Sequence, residues 1–277
     1  MTDQPKDAGK LKTPPPAFKR GANIVAVASG KGGVGKTWFS ITLASALSNM
    51  GKRVLLFDGD LGLANVDVQL GLMPKRDLND VIRGRLGLDK VVQHYEDGNF
   101  DIVAGRSGQA SLSALPSQRL SHLRDQIIDV ARDYDVVIAD LGAGVDRTVR
   151  MLSAAASSTM LITTDEPTSL TDAYAYVKLG NAAGLSKNIN IVVNMASSIQ
   201  EGEKTYKTLL KACQNFLRLS PPLAGMIRVD SRVKDSIRNQ MPILVRSPNA
   251  DAAMDVEKIA KQVWKNVQNE QRRAVSA

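Results

Sequence analysis

The sequence predicts an α/β protein of three layers, with helices on both faces of a mostly parallel sheet of about seven or eight strands. Three observations carry this. Short aliphatic runs recur along the chain and are apolar throughout, as strands buried on both faces are. Stretches with apolar residues at helical spacing lie between most of them. The polar residues able to do chemistry fall just past the ends of the aliphatic runs, where open sheets of this kind hold ligands.

Taken in order, the first 20 residues show no apolar periodicity. They carry five basic residues against two acidic ones, and a triple proline at 14–16. Residues 1–22 therefore read as a disordered basic arm. From Asn23 the pattern changes, and 23–270 is expected to form one domain without internal repeats. Strands are predicted at 24–28, 54–57, 100–103, 136–139, 160–163, 191–193 and 223–227. Helices are predicted at 39–49, 118–132, 170–183 and 205–217. Met254, Val256, Ile259, Ala260, Val263, Trp264 and Val267 form a further apolar stripe at helical spacing. It reads as a last core-packed helix rather than a lipid anchor. A polar tail, 271–277, follows, and no further anchor helix is expected.

Composition narrows the function classes. Cys213 is the only cysteine, which excludes a disulfide framework, a CxxC metal site and a cysteine-ligated iron–sulfur cluster within one chain. No apolar run approaches a membrane span, and the N-terminus is polar rather than signal-like, so a cytoplasmic location is expected. The formal net charge is +8. Such a balance suits a solvated surface, or attraction to DNA, anionic lipid or acidic partners.

The strongest motif is Gly-Lys-Gly-Gly-Val-Gly-Lys-Thr, residues 30–37, after one predicted strand and at the opening of a helix. Glycines let successive backbone N–H groups turn inward towards phosphate oxygens. The helix N-terminus adds a favourable dipole. Lys36 supplies a full positive charge to the β- and γ-phosphates, and the Thr37 hydroxyl is suited to Mg²⁺. The nucleotide-contacting stretch is therefore Gly30, Lys31, Gly32, Gly33, Val34, Gly35, Lys36, Thr37 and Trp38. ATP and Mg²⁺ are the expected cofactors. Asp58 and Asp60 follow the second strand, two residues apart, and so face the phosphate loop together. Asp140 ends a run of four aliphatic residues, placed to hold a magnesium-bound water. The Gly142–Gly144 backbone beyond it can approach the γ-phosphate.

Lys31 is a second lysine in a loop that needs one. With it, the loop resembles the deviant Walker A of the MinD/ParA ATPases, and the likeness extends over nearly the whole chain from Asn23 to Gln262. The resemblance implies a P-loop NTPase fold. It implies an ATP-bound homodimer in which Lys31 reaches the phosphates of the other subunit's nucleotide. It implies that Asp60 positions the attacking water, that Asp58 anchors the magnesium shell and that Asn194 contacts adenine. A loop wrapping the adenine would be Gly225–Asp230, with Arg228 where relatives have proline, so Arg228 and Asp230 join the expected site. Relatives more often carry proline or alanine where this chain has Gly142, which implies a more flexible loop after Asp140.

Residues 58–84 and 163–179, above all "DEPTSLTDAYA", resemble the FlhG/FleN branch, which limits the number and placement of bacterial flagella. The resemblance implies a slow, partner- or surface-stimulated ATPase acting as a switch, with a protein partner of flagellar or polar assembly. Branch relatives often carry an N-terminal segment that activates the GTPase FlhF. Here Asp3-Gln4 is followed by Pro5 with no matching leucine–arginine, so that role is not expected of the arm. Three alternatives stay open: a ParA-like ATPase on nonspecific DNA, peripheral contact with the inner membrane or cell pole, and a metabolic ATPase or small-molecule kinase using the same loop.

Overall fold

The computed structural model describes residues 21–60, 65–105, 116–184 and 188–276. Residues 1–20 of the expected arm lie outside the described residues. Strand β1 spans Gly21–Ser29, followed by helix α1 (Lys36–Asn49), β2 (Val54–Gly59), α2 (Val66–Leu70) and α3 (Leu78–Ile82). Then come β3 (Gln93–Tyr95), β4 (Phe100–Val103), α4 (Ser117–Val130), β5 (Val136–Ala143) and α5 (Arg147–Ala155). The chain continues through β6 (Ala156–Thr163), α6 (Pro167–Ala182), β7 (Ile189–Ala196), α7 (Ile199–Leu217) and β8 (Leu223–Arg228). It ends in α8 (Ser231–Arg238), α9 (Ile243–Arg246) and α10 (Asp251–Val275).

The strands form one 8-stranded sheet in the order β3-β4-β2-β5-β1-β6-β7-β8. All pairings are parallel except β3 with β4. The expected mostly parallel three-layer sheet is the fold observed. Strand β1 shows why. Ile24, Ala26 and Ala28 pack into one core, and Val25 and Val27 into the other. A strand with period-two side chains must be apolar at every position when both its faces are covered. On one face sit α4, α5, α6 and α7, through residues such as Leu123, Leu152, Val177 and Leu209. On the other sit α1, α9 and α10, through Phe39, Leu47, Leu244 and Val256.

The C-terminal stripe packs as expected except at Met254, which is 37% exposed. Val256, Ile259, Ala260, Val263 and Val267 are at most 2% exposed, and Trp264 packs on the same core beneath the Lys52 ammonium. Among the described residues no helix is long and apolar enough to cross a membrane. Two boundaries differ from expectation. Strand β1 begins at Gly21, inside the expected arm, because Gly21 pairs with Ala156 of β6. Helix α10 runs to Val275, through most of the expected tail. That stretch holds good helix formers, and Arg272 and Arg273 sit in the last turn, where positive charge is favoured.

Candidate functional site

Strands β1, β2, β5 and β7 all end at the same edge of the sheet. Their carboxyl ends, with that of β8, open into a cavity of about 630 Å³, within the range of small-molecule sites. The glycine-rich loop joins β1 to α1 and forms one wall. Gly35 has φ +85°, and a Cβ there would stand 2.4 Å from Asn194 Nδ2. The position therefore needs both the conformational freedom and the bare backbone of glycine. Gly30 shares the need for a bare backbone, since a Cβ there would meet the Asp172 backbone at 2.4 Å.

Beneath the loop lies a buried charge cluster. Lys36 Nζ donates to Asp140 Oδ1 at 3.0 Å and stands 3.9 Å from Asp60 Oδ2. The Thr37 hydroxyl donates to Asp140 Oδ2 at 2.7 Å, and the Ser40 hydroxyl to Asp140 Oδ1 at 3.0 Å. Asp140 and Asp58 are cross-strand partners on β5 and β2, and both are fully buried. Asp58 accepts backbone N–H groups from Asp60 (3.1 Å) and Val66 (3.3 Å). These do not compensate its environment. Burial first, and the Asp140 charge second, push the Asp58 carboxyl up to about 8. Two buried carboxyls share one lysine, and Asp58 keeps its proton at neutral pH because nothing among the described residues offsets a second buried charge. Thr37 Oγ1, Asp58 and Asp140 therefore fit a hard divalent cation that brings most of its ligands as water and phosphate.

The structure brings together most of the residues singled out from sequence. Gly32, Gly33, Gly35, Lys36, Thr37, Trp38, Asp60, Asn194, Arg228 and Asp230 line the cavity. Val34 is buried, and its carbonyl accepts from Asn194 Nδ2 at 2.8 Å. Gly144, at φ +95°, donates its N–H to Ser29 O at 2.8 Å, tying the segment after β5 to the end of β1. Gly142 faces Asp60, and a methyl there would stand 3.5 Å from Asp60 Oδ1, an ordinary contact.

Three placements were not foreseen. Arg228 lines the cavity, but its guanidinium is committed to α10, with 2.8 Å bonds to Asp251 Oδ1 and Asp255 Oδ2. Asp230 caps α8 through the Arg232 N–H and is chelated by the Arg232 side chain, which pulls its carboxyl down to about 2. Lys31 turns outward to the start of α6. Its ammonium meets Glu166 Oε2 at 2.5 Å and Thr168 Oγ1 at 2.9 Å. The "DEPTS" segment singled out from sequence thus holds the second lysine of the loop.

Sequence reasoning also missed Ser40 and Met195. Ser40 sits one turn beyond Lys36 on α1, and that spacing is its only signal. Met195 lines the cavity at φ +57° and is 45% exposed. Such a conformation is uncommon for a bulky residue and clusters at functional sites.

A glycine-rich loop between a parallel strand and a helix, over a buried lysine–aspartate–threonine cluster, defines a P-loop nucleotide-binding protein. The chain matches the CobQ/CobB/MinD/ParA nucleotide binding domain over residues 25–243 and belongs to that family. Among curated proteins it is similar to the antiactivator FleN of Pseudomonas aeruginosa, at 39% identity over 240 residues, covering 87% of this chain and 85% of that protein. It is similar to the flagellum site-determining protein YlxH of Helicobacter pylori, at 30% identity, covering 90% and 85%. Its fold matches the cell division ATPase MinD of Pyrococcus furiosus with a TM-score of 0.72 at 24% identity, covering 88% of this chain and 99% of that one. MinD of Pyrococcus horikoshii, solved in complex with Mg-ADP, matches with a TM-score of 0.70 at 24% identity, covering 89% and 96%.

Proposed function

We propose that this chain is an ATP-dependent switch. It binds Mg-ATP in the cavity, pairs with a second copy, hydrolyses the nucleotide slowly, and so regulates the number or placement of flagella. The buried Asp58–Asp140 pair beneath the phosphate loop carries the reading. Its second carboxyl ionises readily only against a further positive charge, which a divalent cation would supply, and its neighbours are the residues that would hold phosphate. The likeness to FleN and YlxH along most of the chain supports the flagellar role.

In this reading the backbone N–H groups of Gly32–Gly35 and the Lys36 ammonium hold the phosphates. Thr37 and Asp140 hold the cation and its water, and Asp58 anchors that shell. When bound, Mg²⁺ neutralises charge on the transferring phosphoryl group. Asp60 orients the attacking water from the opposite side, next to Gly142. Lys31 leaves Glu166 and completes the partner's site, a cation supplied in trans where charge develops. Asn194, with the wall of the cavity formed at Arg228 and Asp230, frames the base, while the side chains of those two residues stay engaged with α10 and Arg232. Activity that needs two chains rises per chain with protein concentration. A turnover independent of concentration, with a monomer at saturating ATP, would overturn the dimer. Flagella unchanged in number and position after deletion of the gene would overturn the cellular role.

The net charge of +8 favours one second reading, a ParA-like ATPase that rides on nonspecific DNA. ATP-dependent retention on DNA, lost steeply with salt, is its signature.

A further inference from the structure

One side of the cavity is explained neither by phosphate nor by metal chemistry. The start of α1, α2 with its N-cap Asn65, and α8 enclose it through Trp38, Asn65, Gln69, Val233 and Ile237. Two buried polar atoms on this side have no hydrogen-bond partner among the described residues: the Trp38 indole N–H and Gln69 Oε1. Trp38 is only 5% exposed. One atom is a pure donor and the other an acceptor. Buried groups of this kind are usually satisfied, so each unsatisfied one calls for a reason. The neighbouring elements give no internal one. The Gln240 amide fastens α2 through Val68 O at 3.2 Å, while Val66 and Leu70 are buried in the core. Gln69 is among the residues that line the cavity.

The position of Trp38 limits what would satisfy the pair. It follows Thr37 directly, at the phosphate end of the cavity. The elements read as framing the base, the ends of β7 and β8, line the same space. Between phosphate and base, a nucleotide carries one group that both donates and accepts hydrogen bonds: the ribose diol. We propose that Trp38 and Gln69 form a sugar-recognition pair, in which Gln69 Oε1 accepts from a ribose hydroxyl and the Trp38 indole donates to a ribose oxygen. The site thereby selects ribonucleotides over deoxyribonucleotides. This rests on the nucleotide reading above and adds the specificity-determining residues to it. A site built to bond a hydroxyl rejects the analogue that lacks it, because its own buried group is then left unpaired.

The test is calorimetric titration of the full chain with Mg²⁺ and ADP, 2′-deoxy-ADP or 3′-deoxy-ADP, diphosphates chosen so that no turnover heat intrudes. The wild type is expected to bind ADP roughly 5- to 100-fold more tightly than at least one of the deoxy analogues. Gln69→Met keeps the length and removes the acceptor. It is expected to weaken ADP and bring the ratio close to one, with the deoxy analogue little changed. Gln69→Glu keeps an acceptor and is expected to keep the preference. A wild type that binds all three alike overturns the proposal and leaves the nucleotide reading standing. So does a Gln69→Met chain whose losses are equal for all three. A wild type that binds none of them overturns both.

Discussion

Releasing Lys31 from Glu166 is expected to favour the dimer. The perturbation is Glu166→Gln, which removes the carboxylate that holds the ammonium at 2.5 Å. The pair is partly solvated, with side chains 37% and 60% exposed. An exposed ion pair of this kind is worth about 0.2–1 kcal/mol. If Lys31 acts in trans, both copies of the pair break when two chains meet, so the variant dimer gains roughly 0.4–2 kcal/mol. At about 1.4 kcal/mol per tenfold, that is roughly a 2- to 30-fold lower dimer dissociation constant with ATP bound. The Thr168 contact remains and pulls the expectation towards the lower figure. Sedimentation with ATP, in an Asp60→Ala background that blocks turnover, reads the constant directly. Asp165→Asn, next in sequence and exposed, controls for the changed net charge. The advantage of Glu166→Gln over that control should shrink as salt screens the pair it removes. An unchanged or weaker dimer in Glu166→Gln, with Asp165→Asn behaving alike, refutes the latch.

Three further expectations concern the same cluster. Asp60→Ala should abolish hydrolysis while leaving ATP bound and the dimer trapped; a chain that stays monomeric at saturating ATP removes Asp60 from the water-positioning role. Lys31→Ala and Lys36→Ala chains, each inactive alone, should regain part of their ATPase on mixing, because a mixed dimer has one site with both lysines; a mixture as inactive as its components contradicts action in trans. The nucleotide-free protein should lose stability as pH rises. The Asp58 carboxyl is held at about 8 in the fold against 3.8 in the unfolded chain, so its contribution is complete below about 4 and lost on passing about 8. Melting temperatures of Asp58→Asn across that window should fall less steeply than those of the wild type, and parallel curves would show that Asp58 is not the titrating group.

What the sequence made legible follows from how local each feature is. The phosphate loop is one contiguous segment, and its glycines, lysine and threonine act through backbone geometry that the order of residues alone specifies. Asp58 and Asp140 were visible because a carboxylate ending an apolar strand has one exit from a buried sheet. The antiparallel strand β3 was not visible, since its 3 residues are too few to show a period. Helix α5 and the short helices α2, α3, α8 and α9 span few turns, and their placement depends on tertiary packing. Arg228 was read by position, as a replacement for proline in a base-contacting loop. Its partners, Asp251 and Asp255, lie on a helix more than 20 residues away, and no local pattern announces that pairing.

Lys31 shows the same limit from the other side. Its spacing in the loop marked it as a cation surplus to one phosphate site, and the resemblance gave it a destination in a second chain. The contact found within one chain is different: Glu166, 135 residues away, in the segment that most set this sequence apart. The two statements are compatible only if the lysine has two partners and exchanges between them. One is an exposed carboxylate, worth little; in the proposed dimer the other would be a phosphoryl group bearing developing charge in a closed interface, worth far more. On the proposed mechanism, so weak a hold in cis would not oppose transfer of the ammonium once nucleotide and partner arrive. If Lys31 acts in trans, the imbalance between those two contacts lets nucleotide binding decide whether the chain is one subunit or half of a pair.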